Sequence, residues 1–173
     1  ANQGLAVART DIDNLVRRLP LLMRSNDGWV ASYGIEVLKV LAGADTYVIK
    51  TNVNGIEEIR VKGLQPVKVD SFGRKWISWV DTPQTNLQEM NVEGKFVFVG
   101  FTAKGIMPQI ATPAGLLEPN KIQAALAESI LIQNSPYIPD YALAVEAVLL
   151  ISMILLTWVL INIFGISLGI LFT

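Results

Sequence analysis

The sequence predicts an α/β domain, with a mixed sheet flanked by helices, followed by a transmembrane α-helical segment. Three observations predict this fold class. Short runs of β-forming residues separated by turn residues fill much of the first 140 positions. Two stretches among them carry apolar residues at helical spacing. Beyond Tyr141 the chain becomes almost wholly apolar, which is typical of a membrane segment.

The N-terminal region predicts a hairpin and then a helix. The residue pattern from Gly4 to Ile12 alternates well enough to predict a strand. A second strand is predicted from Leu15 to Met23, after an Asp-Asn turn. Trp29 to Leu41 then has apolar residues at helical spacing and is followed by Gly43, a residue type that commonly ends helices.

The middle of the chain predicts further strands. Thr46 to Val53 and Ile56 to Val61 flank Asn54-Gly55, which is the strongest short hairpin signal. Val67 to Asp70 and Lys75 to Trp79 predict two more short strands.

The last part of the domain predicts one central strand and a second helix. Lys95 to Val99 is a short apolar run of β-formers that ends at Gly100, as a central strand would. Glu118 to Gln133 has Pro119 in its first turn, where proline suits a helix. One face of this helix is predicted to carry Ile122, Leu126, Ile130 and Leu131.

Ala142 to Phe164 predicts a complete membrane span. A helix rises ~1.5 Å per residue and needs about 20 apolar residues to cross the hydrocarbon core. This stretch has no polar stripe, whereas the helix of a globular protein would show one. Glu146 lies one turn from the start, where a carboxylate can reach the lipid headgroups. Aromatic residues stand where interfacial anchors would be, namely Tyr137, Tyr141 and Trp158.

A second apolar run, Ile166 to Phe172, begins after Gly165 and is cut short. We therefore expect the chain to be part of a longer polypeptide that forms a membrane hairpin. The expected organisation is an extracytoplasmic domain over residues 1–140, a first transmembrane helix over 141–164, and the start of a second over 165–173.

Composition excludes several functional classes. The 14 basic and 15 acidic residues are mixed along the chain and give a net charge of −1, so nucleic acid is not an expected partner. The chain has no cysteine and no histidine, which excludes disulfides, Cys/His zinc sites, thiolate nucleophiles and histidine bases. We expect no catalytic residue, no metal site and no cofactor.

The segment Asp11-Ile12-Asp13 allows two interpretations. It resembles the Asp-x-Asp pair of haloacid dehalogenase phosphatases, which bind magnesium but also need a lysine and further acidic residues downstream. Lys104, after Val97 to Thr102, is only a loose match to that lysine. The favoured interpretation is a turn with acidic residues.

Arg17 and Arg18 also allow two interpretations. Guanidinium groups suit carboxylate and phosphate ligands, so one of the two could clamp an anion. Neighbouring residues on a strand point to opposite faces, so at most one can face a given pocket. The favoured alternative is one solvated arginine and one internal ion pair to Asp11 or Asp13.

The loop Gly100 to Gly105 follows the predicted central strand, where α/β sheets place ligand-binding loops. Its glycines lack the nucleotide-binding spacing. Its candidate ligand-binding residues are Thr102 and Lys104, and Thr112 follows shortly after.

The order of these motifs resembles a known family. The relevant segments are Asp11-x-Asp13 with Val16-Arg17-Arg18 and Pro20, Val97-x-Val99-Gly100-x-Thr102-Ala103, Thr112-Pro113, and the Ala124-Ala125 helix with its proline link to the membrane. Together they resemble the second CHASE family, the sensory extracellular domains associated with cyclases and histidine kinases. The resemblance covers Gly4 to about Phe164. Two departures from it are Met107-Pro108-Gln109, where the family usually has an acidic residue, and Gln123-Ala124, where it often has histidine before alanine.

This resemblance implies a bacterial receptor with a membrane helix before Ala1, the present domain outside the inner membrane, and usually three spans after it. A cytoplasmic output domain would follow, such as an adenylate or guanylate cyclase, a kinase or a diguanylate cyclase. The implied partners are the lipid bilayer, a second copy of the chain in a homodimer, and a small-molecule or protein stimulus. The alternative functions are a structural domain for dimerisation or partner docking and, less favoured, the phosphatase that uses Asp11 and Asp13.

Overall fold

The computed structural model describes residues 3–26, 28–79, 85, 92–95, 97–100, 107–139 and 141–164. The chain separates into two compact units, Ala1–Tyr137 and Ile138–Thr173. In chain order the elements are β1 (Arg18–Pro20), β2 (Leu22–Ser25), β3 (Gly28–Ala31), α1 (Tyr33–Leu41), β4 (Tyr47–Asn52), β5 (Gly55–Val61), β6 (Val67–Lys68), β7 (Arg74–Trp76), β8 (Ile110–Thr112), β9 (Gly115–Leu117), α2 (Pro119–Ile132) and α3 (Ala142–Phe164).

The α/β class is confirmed. Among the described residues the strands form small antiparallel sheets, ordered β1-β7, β2-β3, β4-β5-β6 and β8-β9. One parallel bridge joins Leu5 to Ser32. A single apolar cluster joins side chains from β1, β5, α1 and α2, including Leu19, Ile59, Leu38 and Leu126.

The predicted N-terminal hairpin is wrong, although its turn exists. Asn14 has a left-handed backbone and donates to the Asp11 carbonyl, while the Asp11 amide donates to the Leu15 carbonyl. Beyond this turn the chain pairs elsewhere, because the Val16 amide bonds the Ala111 carbonyl and β1 pairs with β7. The segment from Gly4 to Ile12 contributes only the bridge at Leu5 within the described residues.

The first helix is shorter than its apolar spacing predicted. Residues Gly28–Ala31 form β3, which pairs with β2, and the helix begins only at Tyr33. Gly28 has φ +131°, a backbone that side-chain-bearing residues rarely adopt, so the chain turns there into a strand. The apolar residues from Trp29 to Ala31 therefore lie in a strand and not in the helix.

The central hairpin is confirmed. Asn52 pairs with Gly55, so the two loop residues are Val53 and Asn54. Gly55 has φ +131°, and a Cβ there would lie 2.3 Å from the Ser71 carbonyl oxygen, so only glycine fits. The predicted hairpin is therefore present, but Gly55 is the first residue of β5 and not part of the loop.

The predicted central strand is wrong over its described residues. Lys95 and residues 97–100 lie in no strand, and the Val99 side chain is 72% exposed. Phe98 packs edge-on against Tyr33, with ring centroids 5.9 Å apart. An apolar run of β-formers indicates compatibility with a sheet but does not supply a neighbouring strand to pair with.

Both C-terminal helices are confirmed. Glu118 is the N-cap of α2, Pro119 is its first residue, and Gln133 ends it in a left-handed conformation. Ile122, Leu126 and Ile130 are buried as predicted, whereas Leu131 is 45% exposed because it lies about 100° around the helix from Ile130. The structure adds the β8–β9 hairpin, which was not predicted.

The helix α3 runs from Ala142 to Phe164, and its residues 142–163 are long and apolar enough to cross a membrane. It is the one helix of the described residues with that property. The predicted second span, residues 165–173, lies outside the described residues.

Candidate functional site

Of the candidate residues, Arg18 lies in the ladder between β1 and β7, and Asp11 contacts it. The register of this ladder pairs Arg18 with Trp76, Leu19 with Lys75, and Pro20 with Arg74. Residues directly opposite each other in an antiparallel pair share a face of the sheet. We call the side with Arg18, Pro20, Arg74 and Trp76 the charged face, and the side with Leu19 and Lys75 the core face.

Arg18 is held on the charged face by three partners. Its Nη2 contacts the Asp11 carboxylate, and its Nη1 lies 3.4 Å from Asp70 Oδ2. Its guanidinium carbon lies 5.1 Å from the centroid of the Trp76 ring, within cation–π range. The Arg18 Nε is buried and has no partner among the described residues. The predicted internal ion pair to Asp11 is thus present.

Asp70 organises the turn that leads into β7. Its Oδ1 accepts hydrogen bonds from the backbone amides of Phe72 and Arg74, at 3.1 and 2.9 Å. Its Oδ2 accepts from Arg74 Nε at 2.8 Å and from Arg18 Nη1 at 3.4 Å. An aspartate at the start of a turn commonly accepts amides of the next residues, so the Asp-Ser-Phe-Gly segment is a sequence signal for this turn.

Arg17 and Asp13 form a separate pair. Arg17 Nη1 lies 2.5 Å from Asp13 Oδ2, and both side chains are substantially exposed. Hydrogen bonding from Arg17 lowers the pKa of Asp13 below its ordinary value. The two arginines therefore contact different carboxylates.

Thr112 lies on another hairpin and serves its turn. It is buried, and its Oγ1 donates a hydrogen bond of 2.7 Å to the Gly115 carbonyl. The preceding residue, Ala111, accepts the amide of Val16, which places β8 beside the start of β1. The other two candidates, Thr102 and Lys104, lie outside the described residues.

The acidic turn does not resemble a metal centre in the described part of the chain. Asp11 and Asp13 each contact an arginine. No group of three or more acidic, histidine or cysteine side chains converges among the described residues. A phosphatase would need such a group to hold magnesium, so the described geometry offers no support for that alternative.

The core face holds a residue that sequence reasoning missed. Lys75 is only 6% exposed and lies opposite Leu19, which is fully buried. Ile77, two residues further on the same side, is also buried, and its amide bonds the Arg17 carbonyl. Burial lowers the pKa of Lys75 below the usual lysine value. Among the described residues no carboxylate, carbonyl or aromatic ring pairs with its ammonium.

The sequence does indicate which side chains share a face. Side chains alternate along a strand, so Lys75 and Ile77 are expected on the same side. Which of the two sides is buried is not visible in so short a segment.

The other buried charged side chain of the described residues, Glu36, is fully partnered. Its Oε1 lies 2.6 Å from Lys39 Nζ, and its Oε2 accepts a hydrogen bond from the Tyr47 hydroxyl. Lys39 Nζ also lies 5.0 Å from the centroid of the Tyr47 ring. Burial, together with the neighbouring Glu36 carboxylate, raises the pKa of Tyr47. This network pairs both oxygens of the Glu36 carboxylate within the domain.

Gln123, at one of the two departures from the CHASE resemblance, has a structural role. It is buried, and its Oε1 accepts the Gly34 amide at 3.0 Å. The N-cap residue Ser32 makes no side-chain capping bond, so Gln123 on α2 satisfies an amide in the first turn of α1. The amide side chain thus joins the two helices of the domain.

Comparison with known proteins identifies the family. The model of the CHASE2 domain matches residues 1–165, which is most of the chain. No curated protein and no solved structure matches it. The chain therefore belongs to the CHASE2 family of extracellular sensory domains found in signalling receptors.

Proposed function

We propose that this chain is the extracytoplasmic sensor of a bacterial transmembrane receptor in the inner membrane. It passes the state of its ligand, or the packing of its homodimer, through membrane helices to a cytoplasmic output domain. That output domain is a cyclase for adenylate or guanylate, or a kinase. The observation that carries the proposal is the CHASE2 match, which continues from the folded domain through the apolar helix α3.

The connection between the domain and α3 supports transmission along the chain. The helix α2 ends at Ile132 and α3 begins at Ala142, with Pro136 and Pro139 between them. Proline fixes its own φ and restricts the residue before it, so this connection is stiffer than a glycine-rich linker. A stiff connection can transmit a displacement of α2 to the span.

The side of the membrane is testable by cysteine labelling, because the native chain has no cysteine. Val53, in the β4–β5 loop, is fully exposed, so Val53→Cys gives a reactive site without touching the core. We expect a membrane-impermeant maleimide to label this variant in intact spheroplasts. Ile59→Cys, at a fully buried position, is the matched control and should stay unlabelled while the domain is folded. Labelling of Val53→Cys only after permeabilisation would contradict the extracytoplasmic placement.

Transmission is testable by making the connection flexible. In the receptor with its output domain, we expect Pro136→Gly combined with Pro139→Gly to abolish the change in output on stimulation while the domain stays folded. Pro113→Gly, in the β8–β9 turn, is the control for loss of a proline elsewhere. Full signalling by the double variant would show that the connection does not transmit the stimulus.

Homodimer formation is testable by sedimentation of the chain in detergent over a range of concentrations. Most soluble homo-oligomers are two-fold dimers, and a change of dimer packing is one way to move membrane helices. A dimer that no stimulus alters would favour the alternative of a structural dimerisation domain.

A further inference from the structure

The first turn of α1 offers two acceptors for one backbone amide. Ser32 is the N-cap and has the extended backbone that this position requires, with φ −69° and ψ 153°. An N-cap serine usually accepts, through its Oγ, the amide of the residue two or three positions later. Ser32 makes no such bond, and the Gly34 amide bonds Gln123 Oε1 on α2 instead, at 3.0 Å.

The Ser32 hydroxyl is left without a partner. Ser32 is fully buried, and its Oγ has no hydrogen-bond partner among the described residues. Gln123 is also buried, with 2% of its surface exposed. An unpartnered buried hydroxyl destabilises the state that contains it, and a buried amide needs an acceptor. The Gly34 amide thus has one acceptor in use and a second, unused one at the residue that would normally cap the helix.

The bond to Gln123 also joins α2 to α1 at a point of close approach. A Cβ on Gly34 would lie 3.0 Å from the backbone carbonyl oxygen of Gln123. On the other side of the same turn, the Leu5 amide bonds the Ala31 carbonyl and the Tyr33 amide bonds the Leu5 carbonyl, both at 2.9 Å. The turn therefore connects the N-terminal segment with α2, the helix that precedes α3 in the chain.

We propose that the Gly34 amide exchanges between Gln123 and Ser32, and that this exchange is the switch of the sensor. In the state that the structure shows, Gln123 holds α2 against α1. In the other state Ser32 caps α1, and Gln123 is released so that α2 can move. The Ser32 amide bonds the Leu21 carbonyl at 2.9 Å, so the serine takes part by rotating its side chain only. Each state leaves one acceptor unpaired, so the two states lie close in free energy.

The role in signalling rests on the proposed sensory function, but the exchange itself does not. Stability and hydrogen exchange are measured on this chain alone, so a negative result there leaves the membrane topology untouched. A failed labelling of Val53→Cys would conversely leave the exchange standing.

The test is a double-mutant cycle at Ser32 and Gln123, measured by thermal unfolding of the full chain in detergent. In the native background, Ser32→Ala should raise the melting temperature by ~2 °C, because it removes an unpartnered buried hydroxyl. In the Gln123→Met background the same change should lower the melting temperature by ~4 °C, because Ser32 then caps the helix. An ordinary N-cap serine would lower it in both backgrounds.

Hydrogen exchange of the Gly34 amide reports the two acceptors directly. In Gln123→Met this amide should stay as protected as in the native chain, because Ser32 accepts it. In the double variant its exchange should become about tenfold faster. If Gln123 were its one possible acceptor, Gln123→Met alone would already produce this increase.

Ser129→Ala is the matched control for weakening α2 elsewhere. Ser129 also lies on α2, and its Oγ accepts the Ser78 amide at 2.8 Å. In this background Ser32→Ala should act as it does in the native chain. Gln123→Leu is a second variant without an acceptor, which keeps the test decisive if Gln123→Met does not fold.

In the receptor with its output domain, Ser32→Ala should reduce the change in output on stimulation about fivefold, because α2 stays held by Gln123. Full signalling by this variant would overturn the role of the exchange as the switch. Three other results would overturn the exchange itself. They are an equal effect of Ser32→Ala in the native and Gln123→Met backgrounds, a lowered melting temperature in the Ser129→Ala background, and rapid exchange of the Gly34 amide in Gln123→Met alone.

Discussion

Charged side chains on the two faces of the β1–β7 ladder have different surroundings. On the charged face Arg18 meets two carboxylates and an aromatic ring, and Asp70 accepts four hydrogen bonds. On the core face Lys75 is buried with no described partner. The difference teaches that a dense cluster of charges at a turn can be held together by contacts within the fold.

The largest expected effect comes from breaking the charged face at its centre. Asp70→Ala removes the acceptor of two turn amides and two guanidinium groups in a partly buried setting. We expect the free energy of unfolding to fall by about 2–4 kcal/mol. Denaturant unfolding of the native and variant chains measures it.

Lys50→Gln is the control for that variant, because Lys50 pairs with Glu57 on the exposed surface of the β4–β5 hairpin. It should leave stability unchanged, as exposed pairs contribute little. Equal losses in both variants would mean that Asp70 does no more than a surface charge.

The second prediction concerns the core face, where we expect the free energy of unfolding to rise and not to fall. Lys75→Met should raise the free energy of unfolding at neutral pH, because burial disfavours the charged form of Lys75 in the folded chain. Burial lowers the pKa of Lys75 in the folded chain below the ordinary 10.5, so the unfolded chain binds this proton more tightly. The penalty is therefore complete below the folded pKa and vanishes as pH rises to 10.5.

The measurement is the stability difference between Lys75→Met and the native chain as a function of pH. We expect that difference to shrink as pH rises through the alkaline range. A difference that is constant with pH would show that the ammonium is already compensated in the native chain.

The smallest effect concerns the exposed pair of Asp13 and Arg17. Hydrogen bonding from Arg17 lowers the pKa of Asp13, so this pair contributes stability above the ordinary value of 3.8 and loses it as pH falls through the lowered pKa of the folded chain. We expect Asp13→Asn to be only marginally less stable than the native chain at pH 7, and the difference should disappear below the folded pKa of Asp13. A large loss at pH 7 would mean that the acidic turn, and not Asp70, anchors the charged face.

Much of the fold was predictable because it depends on local patterns. The β4–β5 hairpin follows from Asn54-Gly55, and α2 follows from Pro119 and the spacing of Ile122 and Leu126. The errors arose where pairing is not local. The segment from Gly4 to Ile12 reads as a strand, yet Val16 and β1 bond to Ala111 and β7.

The candidate site was predicted only in part. The acidic turn and the Arg18–Asp11 ion pair lie within seven residues of each other, so they could be proposed from the sequence. Asp70 joins Arg18 across 52 positions and was not proposed. The burial of Lys75 among apolar side chains was also unpredictable, because residues distant in the chain supply those neighbours.

The sequence by itself determined the helix that is long and apolar enough to cross a membrane, the hairpin and helix of the domain, and the resemblance to the family that the CHASE2 match then established. These properties depend on composition, on periodicity and on the order of short motifs. Only the tertiary structure decided which face of β7 is buried and which charges find partners. The physical reason is that the cost of burying a charge depends on what surrounds it, and residues distant in the chain supply those surroundings.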